Sequence, residues 1–367
     1  MNQVQHGGDI YRNKIRYDFS VNLNPLGMPS GVVKVLQEQA GDWGCYPDPE
    51  CRRLVDELAR LHQVPETFLL CGNGAADLIF QLVQAVRPAR AVVPAPAFLE
   101  YQQALKAAGC VTEHVLPQGD PGEHGWRILP ASLAGYIRDL TDGCDLVFFC
   151  NPNNPTGALA TIEELEPLLA QCQRQQAFLV IDECFCALTE HPEGASVIRL
   201  TKDYENLVVL RAFTKTYAMA GLRLGYAVTG NKALLDRMRS IRQPWSVSLP
   251  AQQAGLAALK ETTYLDESRR LLVRERSWLK EQLTALGFRV FPSAANYLLF
   301  RTPFPDHDRT LWETMRTQGI LIRDCADFHG LGPGYYRTCV STREKNRILI
   351  ERLASYMTEH NASCHQP

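Results

Sequence analysis

Lys215 lies in the stretch Val208 to Tyr226, between the apolar run Leu207 to Leu210 and a small-residue segment that leads to Arg223. An ammonium group set among apolar runs is costly unless it is neutralised or bonded to something. A lysine whose amine is consumed as a Schiff base meets that condition; a surface lysine on a loop is the plain alternative. Three other polar features also follow apolar, strand-like runs. Asp182 closes Phe178-Leu-Val-Ile181, where a cationic partner would keep the carboxylate ionised, although a helix N-cap reads the same way. Asn151-Pro-Asn-Asn-Pro-Thr-Gly157 comes directly after 146–150, and Gly72-Asn-Gly74 directly after 68–71.

Such residues act together only if the chain brings strand ends to one place. The pattern predicts helices over 51–62, 75–86, 98–108, 130–140 and 161–175, alternating with strands over 68–71, 91–94, 111–115, 146–150, 178–182 and 207–210. Short β-rich runs between helices indicate an α/β fold, a mostly parallel sheet sandwiched by helices. Ligand sites in such sheets gather at the carboxyl ends of the strands, where the features above fall. After Trp245 the composition shifts. A long charged helix over 249–286, bent near Tyr264, precedes strands over 288–291, 297–301, 320–323 and 336–340 and helices over 308–318 and 344–358, a small α+β unit. The organisation expected is an N-terminal arm over 1–45 that contributes to the small domain, a large domain over 46–247, a small C-terminal domain over 248–360 and a tail over 361–367.

Composition narrows the function. The chain has 367 residues, 46% hydrophobic and 21% charged, with a formal net charge of −2, so it is neither disordered nor built for nucleic acid or an anionic membrane. The polar start Met1 to Asp9 lacks a signal-peptide core and no run of about 18 apolar residues occurs, which points to the cytoplasm. Twelve cysteines without a C-x-x-C pair read as buried free thiols, and no metal site is expected. His360, Cys364 and His365 near the end read as a frayed terminus.

Taken in order, the Asn-Pro-Asn-Asn-Pro-Thr-Gly loop, the strand ending in Asp182-Glu183, and Thr214-Lys215 followed by Gly221-Leu-Arg-Leu-Gly225 resemble the fold-type I pyridoxal 5′-phosphate (PLP) enzymes of the aspartate aminotransferase superfamily, over nearly the whole chain. The resemblance implies a sheet of the seven-stranded type in the large domain, and that Lys215 forms the Schiff base with the cofactor and later moves a proton at the substrate Cα. It implies that Asp182 pairs with the pyridinium nitrogen and Asn154 with the phenolic oxygen, and that Phe98 stacks on the ring. Arg223, Thr214 and the backbone N–H groups of Gly74 and Ala75 would hold the cofactor phosphate. Tyr46 would reach that phosphate from a neighbouring subunit, so a homodimer with a shared site is implied. Two positions depart from the common pattern: Phe185 stands where a tyrosine often bonds the phenolic oxygen, and Ala212 where a hydroxyl residue often meets the phosphate.

Within the superfamily, His6-Gly-Gly-Asp9, Phe19-Ser-Val-Asn-Leu-Asn-Pro-Leu-Gly27, Phe185, Arg242-Gln-Pro-Trp-Ser-Val247, Ala295-Asn-Tyr-Leu-Leu299 and Ile320 to Leu331 resemble the L-threonine-O-3-phosphate decarboxylase branch more than the histidinol-phosphate aminotransferase branch. That implies a small phosphorylated amino acid as substrate. His6, Gly7, Gly8, Asn24 and Arg323 would anchor its phosphate and Arg337 would meet its carboxylate, although which arginine takes which group stays open. An aminotransferase on a phosphorylated or aromatic substrate is the alternative activity, and a PLP-fold binding or regulatory protein without turnover is the alternative class.

Overall fold

The computed structural model describes residues 7–12, 14–117, 125–304 and 309–364. A short N-terminal strand, β1 (Tyr17–Asp18), is followed by seven strands of one sheet: β2 (Leu69–Gly72), β3 (Arg90–Pro94), β4 (Val111–Val115), β5 (Leu146–Cys150), β6 (Phe178–Asp182), β7 (Leu207–Ala212) and β8 (Gly225–Val228). Their order is β2-β8-β7-β6-β5-β3-β4. The strands from β3 to β7 run parallel, whereas β8 is antiparallel to both neighbours.

The strands read as unbroken apolar runs because both faces are covered. Along β5, Val147 and Phe149 enter one core while Leu146, Phe148 and Cys150 enter the other. Along β7, Leu207 and Val209 likewise oppose Val208 and Leu210. β8 lies outside the strands that the sequence pattern predicts. Between Ala212 and Gly225 the chain holds only the short helix Phe213–Thr216 and one 3-10 turn, too little for a parallel crossover, so it returns antiparallel.

The second sheet, β12-β13-β10-β9, is formed by β9 (Arg289–Val290), β10 (Tyr297–Arg301), β12 (Arg323–Asp324) and β13 (Tyr335–Cys339), with β11 (Ile320–Leu321) between helix Thr310–Thr317 and β12. The strand expected over 320–323 is therefore two. Its first half pairs with β1 in parallel, Tyr17 opposite Ile320, and its second half pairs with β13. The N-terminal segment thus belongs to the small-sheet side: Phe19 is buried in that core and its carbonyl accepts from Cys339 N at 2.8 Å. The helix expected over 249–286 is also two, Leu249–Ala258 and Tyr264–Ala285. At the break Glu261 accepts from Gly31 N at 2.9 Å and the Tyr264 hydroxyl donates to Gly27 O at 2.5 Å, which ties the turn to the N-terminal segment. No helix among the described residues is long and apolar enough to cross a membrane.

Candidate active site

A cavity of about 260 Å³ opens between the carboxyl ends of β5, β6 and β7 and the small sheet. Lys215 is in its wall, on the helical turn that follows β7. Burial, together with the nearby guanidinium groups of Arg337 and Arg223, pulls the lysine amine down to about 8 from its ordinary 10.5. A useful fraction of neutral, nucleophilic amine therefore exists near neutral pH.

Asp182 is the last residue of β6 and is almost fully buried. Its Oδ2 accepts from the Tyr101 hydroxyl at 2.6 Å and its Oδ1 from Cys184 N at 3.0 Å. Burial and the neighbouring carboxylate push the Tyr101 phenol well above its ordinary range, so it remains a donor. Tyr101 is held in place by stacking on Phe148, centroids 4.6 Å apart. The strand-end position predicts Asp182, but not Tyr101, which arrives from helix Leu99–Ala107. Its only sequence signal is the spacing of three from Phe98, which puts both on one helical face at the sheet edge.

The loop after β5 divides its asparagines between two tasks. Asn151 donates to Ala160 O at 2.9 Å and accepts from Ala160 N at 2.8 Å, and Asn153 donates to Pro96 O and accepts from Thr156 Oγ1 at 2.9 Å. These two build the loop. Asn154 alone lines the cavity, and its Oδ1 accepts from Arg337 Nη1, which leaves its NH₂ as the group available to a ligand. Gly157 allows the small-sheet side to close on this loop: it has φ +75°, and a Cβ there would lie 1.9 Å from Ser293 Oγ.

Arg223 has left-handed backbone geometry, φ +61°, and lines the cavity beside the start of helix Ala75–Val86. Gly74, φ +84°, precedes that helix, and a Cβ on it would stand 2.7 Å from Arg223 Nη2. Thr214, Ala75 and Phe98 complete this end. Phe185 and Ala212 line the wall without offering a polar group.

The small sheet contributes Arg323 and Arg337, which are cross-strand partners on β12 and β13 and nearly fully buried. Arg323 Nη2 donates to both carboxylate oxygens of Asp327, at 2.8 and 2.9 Å, and Nη1 to Asp324 O at 2.5 Å. Arg337 Nη2 donates to Ser20 O at 2.8 Å, while its buried Nε has no partner among the described residues. Burial and the nearby Arg323 lower the proton affinity of Arg337.

The remaining expected residues are divided between the cavity and other places. Asn24 does not line the cavity: its NH₂ donates to Thr216 O at 2.9 Å and Ser268 Oγ at 2.7 Å, its Oδ1 accepts from Leu26 N, and its own N–H donates to Lys215 O at 3.1 Å. With every polar group engaged it buttresses the lysine turn instead of meeting a substrate. Gly7 lines the cavity, and Gly8 stands behind it with its N–H on Ser20 Oγ at 2.7 Å. His6 lies outside the described residues, as does His365. Tyr46 is on the surface, 79% exposed, with its ring tilted against Trp245, centroids 4.5 Å apart. Cys184 lines the cavity, but burial and Asp182 push its thiol well up, so it stays uncharged; Cys186 is buried behind the wall. No group of three or more His, Cys, Asp or Glu suited to a metal occurs among the described residues.

The profile of the family "Aminotransferase class I and II" matches residues 14–353. The chain belongs to this family. Threonine-phosphate decarboxylase of Salmonella typhimurium is 37% identical over 343 residues, 93% of this chain and 91% of the relative. Histidinol-phosphate aminotransferase of Symbiobacterium thermophilum is 33% identical and the match spans 92% of this chain and 90% of that one. Among solved structures, histidinol-phosphate aminotransferase from Clostridium acetobutylicum superposes with a TM-score of 0.84 at 29% identity, covering 94% of this chain and 99% of that chain. The fold is that of the fold-type I PLP enzymes and the family's cofactor is PLP. The residues present fit the cofactor: a desolvated lysine, a buried carboxylate already held by two donors, and a glycine-led helix start with Arg223 in the space a side chain at Gly74 would need.

Proposed function

We propose that this enzyme decarboxylates L-threonine O-3-phosphate to (R)-1-aminopropan-2-yl phosphate and CO₂, a reaction that serves assembly of the cobalamin nucleotide loop. The observation that carries the reading is the cross-strand pair Arg323 and Arg337. Two guanidinium groups buried opposite each other repel, and such an arrangement is stable in use only when anions sit between or beside them. A substrate with both a carboxylate and a phosphate supplies two. The similarity to a protein named threonine-phosphate decarboxylase supports the same substrate.

Lys215, Asp182, Asn154, Phe98, Thr214, Arg223 and the N–H groups of Gly74 and Ala75 would hold the cofactor. When bound, PLP supplies an electron sink for the pair left on Cα when a bond to it breaks. The protein decides which bond that is. Arg337 orients the substrate carboxylate and Arg323, with Gly7 nearby, receives the phosphate, so that binding energy at a distance from Cα turns the carboxylate into the position from which it leaves. Arg337 also fixes the Asn154 amide through its Oδ1. Phe185, Phe328 and Phe98 exclude water around Cα. Lys215 Nζ, held near 8, carries the proton that replaces the carboxylate on Cα. The exposed Tyr46–Trp245 pair supports a homodimer in which Tyr46 reaches the partner subunit's cofactor phosphate.

Incubation of holoenzyme with L-threonine O-3-phosphate and no keto acid tests the assignment. Release of CO₂ over many turnovers is expected. One equivalent of pyridoxamine phosphate that then waits for 2-oxoglutarate would identify an aminotransferase instead, the activity named for the Symbiobacterium relative.

A further inference from the structure

Glu100 has no part in the reading above, yet it lines the same cavity from the first turn of helix Leu99–Ala107, between Phe98 and Tyr101. The charged groups that face it are Arg323 from the small sheet, Lys215 from the turn after β7 and Asp182 at the end of β6. Beyond Arg323 stand its ion-pair partner Asp327 and its cross-strand neighbour Arg337. Burial is the strongest influence on the carboxyl group and holds it up at about 7, in spite of the two nearby cations. Near neutral pH Glu100 is therefore divided between acid and carboxylate.

A carboxylate at this point works against a cavity that gathers guanidinium groups for an anion. A dianion arriving at Arg323 adds negative charge beside Glu100 and raises its affinity for a proton. Once protonated, the same side chain changes from a repelling charge to a hydrogen-bond donor. We propose that Glu100 is a specificity-determining residue of the substrate subsite: it takes up a proton when a phosphate group reaches Arg323, and as the neutral acid donates its O–H to a phosphate oxygen. The proton comes from solvent and passes to a Glu100 Oε; no bond in the ligand breaks. A phosphate has three acceptor oxygens and can meet Arg323 and Glu100 together. An uncharged side chain in that place leaves Glu100 ionised against Arg323 and gains no donor. The inference rests on the assignment of Arg323 to the substrate phosphate.

Calorimetry of holoenzyme with isopropyl phosphate, which has no amine to react with the cofactor, reads the proton directly. Titrations at pH 7.5 in two buffers of different ionisation enthalpy should show uptake of roughly half to three-quarters of a proton per phosphate bound by the wild type. Glu100→Gln should lower the uptake by that amount and bind with little pH dependence from 7 to 9, whereas wild-type affinity falls by up to about tenfold per pH unit above neutrality. Glu100→Asp, which keeps an acid on a shorter stem, should retain uptake with weaker binding; matching cofactor absorbance and thermal unfolding establish that both variants are folded. Equal uptake in wild type and Glu100→Gln overturns the proposal, as does an absence of phosphate binding to the wild type. Parallel assay with L-threonine O-3-phosphate separates the two readings. CO₂ release with unchanged proton uptake removes only the role of Glu100, and glutamate-linked uptake without CO₂ release removes only the decarboxylase assignment.

Discussion

The two halves of the cavity treat charge in opposite ways. On the large-sheet side the buried carboxylates are matched within the protein: Asp182 accepts from Tyr101 and Cys184 N, and behind it the buried Glu183 pairs with Arg211 at 2.6 Å. On the small-sheet side two buried guanidinium groups oppose each other across strands, and one is held by a partly exposed aspartate and the carbonyl of Asp324. The first half is a finished cradle for a resident group. The second is left in electrostatic debt that a transient anion cancels, so it is the half expected to set substrate and reaction.

Variants at the two halves should therefore fail in different ways. The largest effect is expected for Lys215→Ala on the large-sheet side: turnover falls on the order of 10⁴-fold, since the proton carrier is gone, and PLP is lost on desalting. Turnover within tenfold of wild type would refute the central role of the lysine. Arg323→Met should lower kcat/KM by about 10²-fold through KM, while the thermal midpoint holds or rises because one of two repelling charges is removed. A clear drop in thermal midpoint would show that the arginine is structural and that the contrast between the halves is false.

A pH measurement sharpens the lysine side. The amine is neutral more readily in the folded protein than in the unfolded chain, about 8 against 10.5. Between those values the unfolded chain binds more protons, so this group makes the apoenzyme more stable as pH rises from 8 to 10.5, by on the order of 1–3 kcal/mol at most. Below 8 its cost is fully present. The rate at which apoenzyme captures PLP should climb with pH and level off above about 8; a flat profile would mean that the lysine is not desolvated. The smallest effect is expected for Asp327→Asn, which frees Arg323 from a competing carboxylate and should lower KM a few-fold. A raised KM would mean that Asp327 positions the arginine for substrate.

Much of the large-sheet half is legible in one dimension because strands, turns and polar residues are contiguous there. Lys215 follows β7, Asp182 ends β6 and Asn154 sits four residues past β5, so recognising the strands places all three at one sheet edge. The small-sheet half is not contiguous. The run 320–323 reads as one strand, yet it is divided between two partners far apart in sequence, β1 and β13. Asn24 reads as a ligand residue in a glycine- and asparagine-rich arm, and only its contacts with Thr216 and Ser268 show that it is already satisfied. Tyr101 and Glu100 are helical residues of ordinary type with little local signal; their meaning depends on what faces them.

By itself the sequence determined the α/β scaffold, the strand-end residues and the chemistry they imply, since apolar periodicity and turn residues act over a few positions at a time. The antiparallel return of β8, the pairing of Arg323 with Arg337, the reach of Tyr101 to Asp182 and the burial that brings Lys215 and Glu100 toward neutral pH were decided only by the tertiary structure. The reason is physical: hydrogen-bond partners and desolvation come from segments separated by tens to hundreds of residues, and no local pattern encodes which of them will meet.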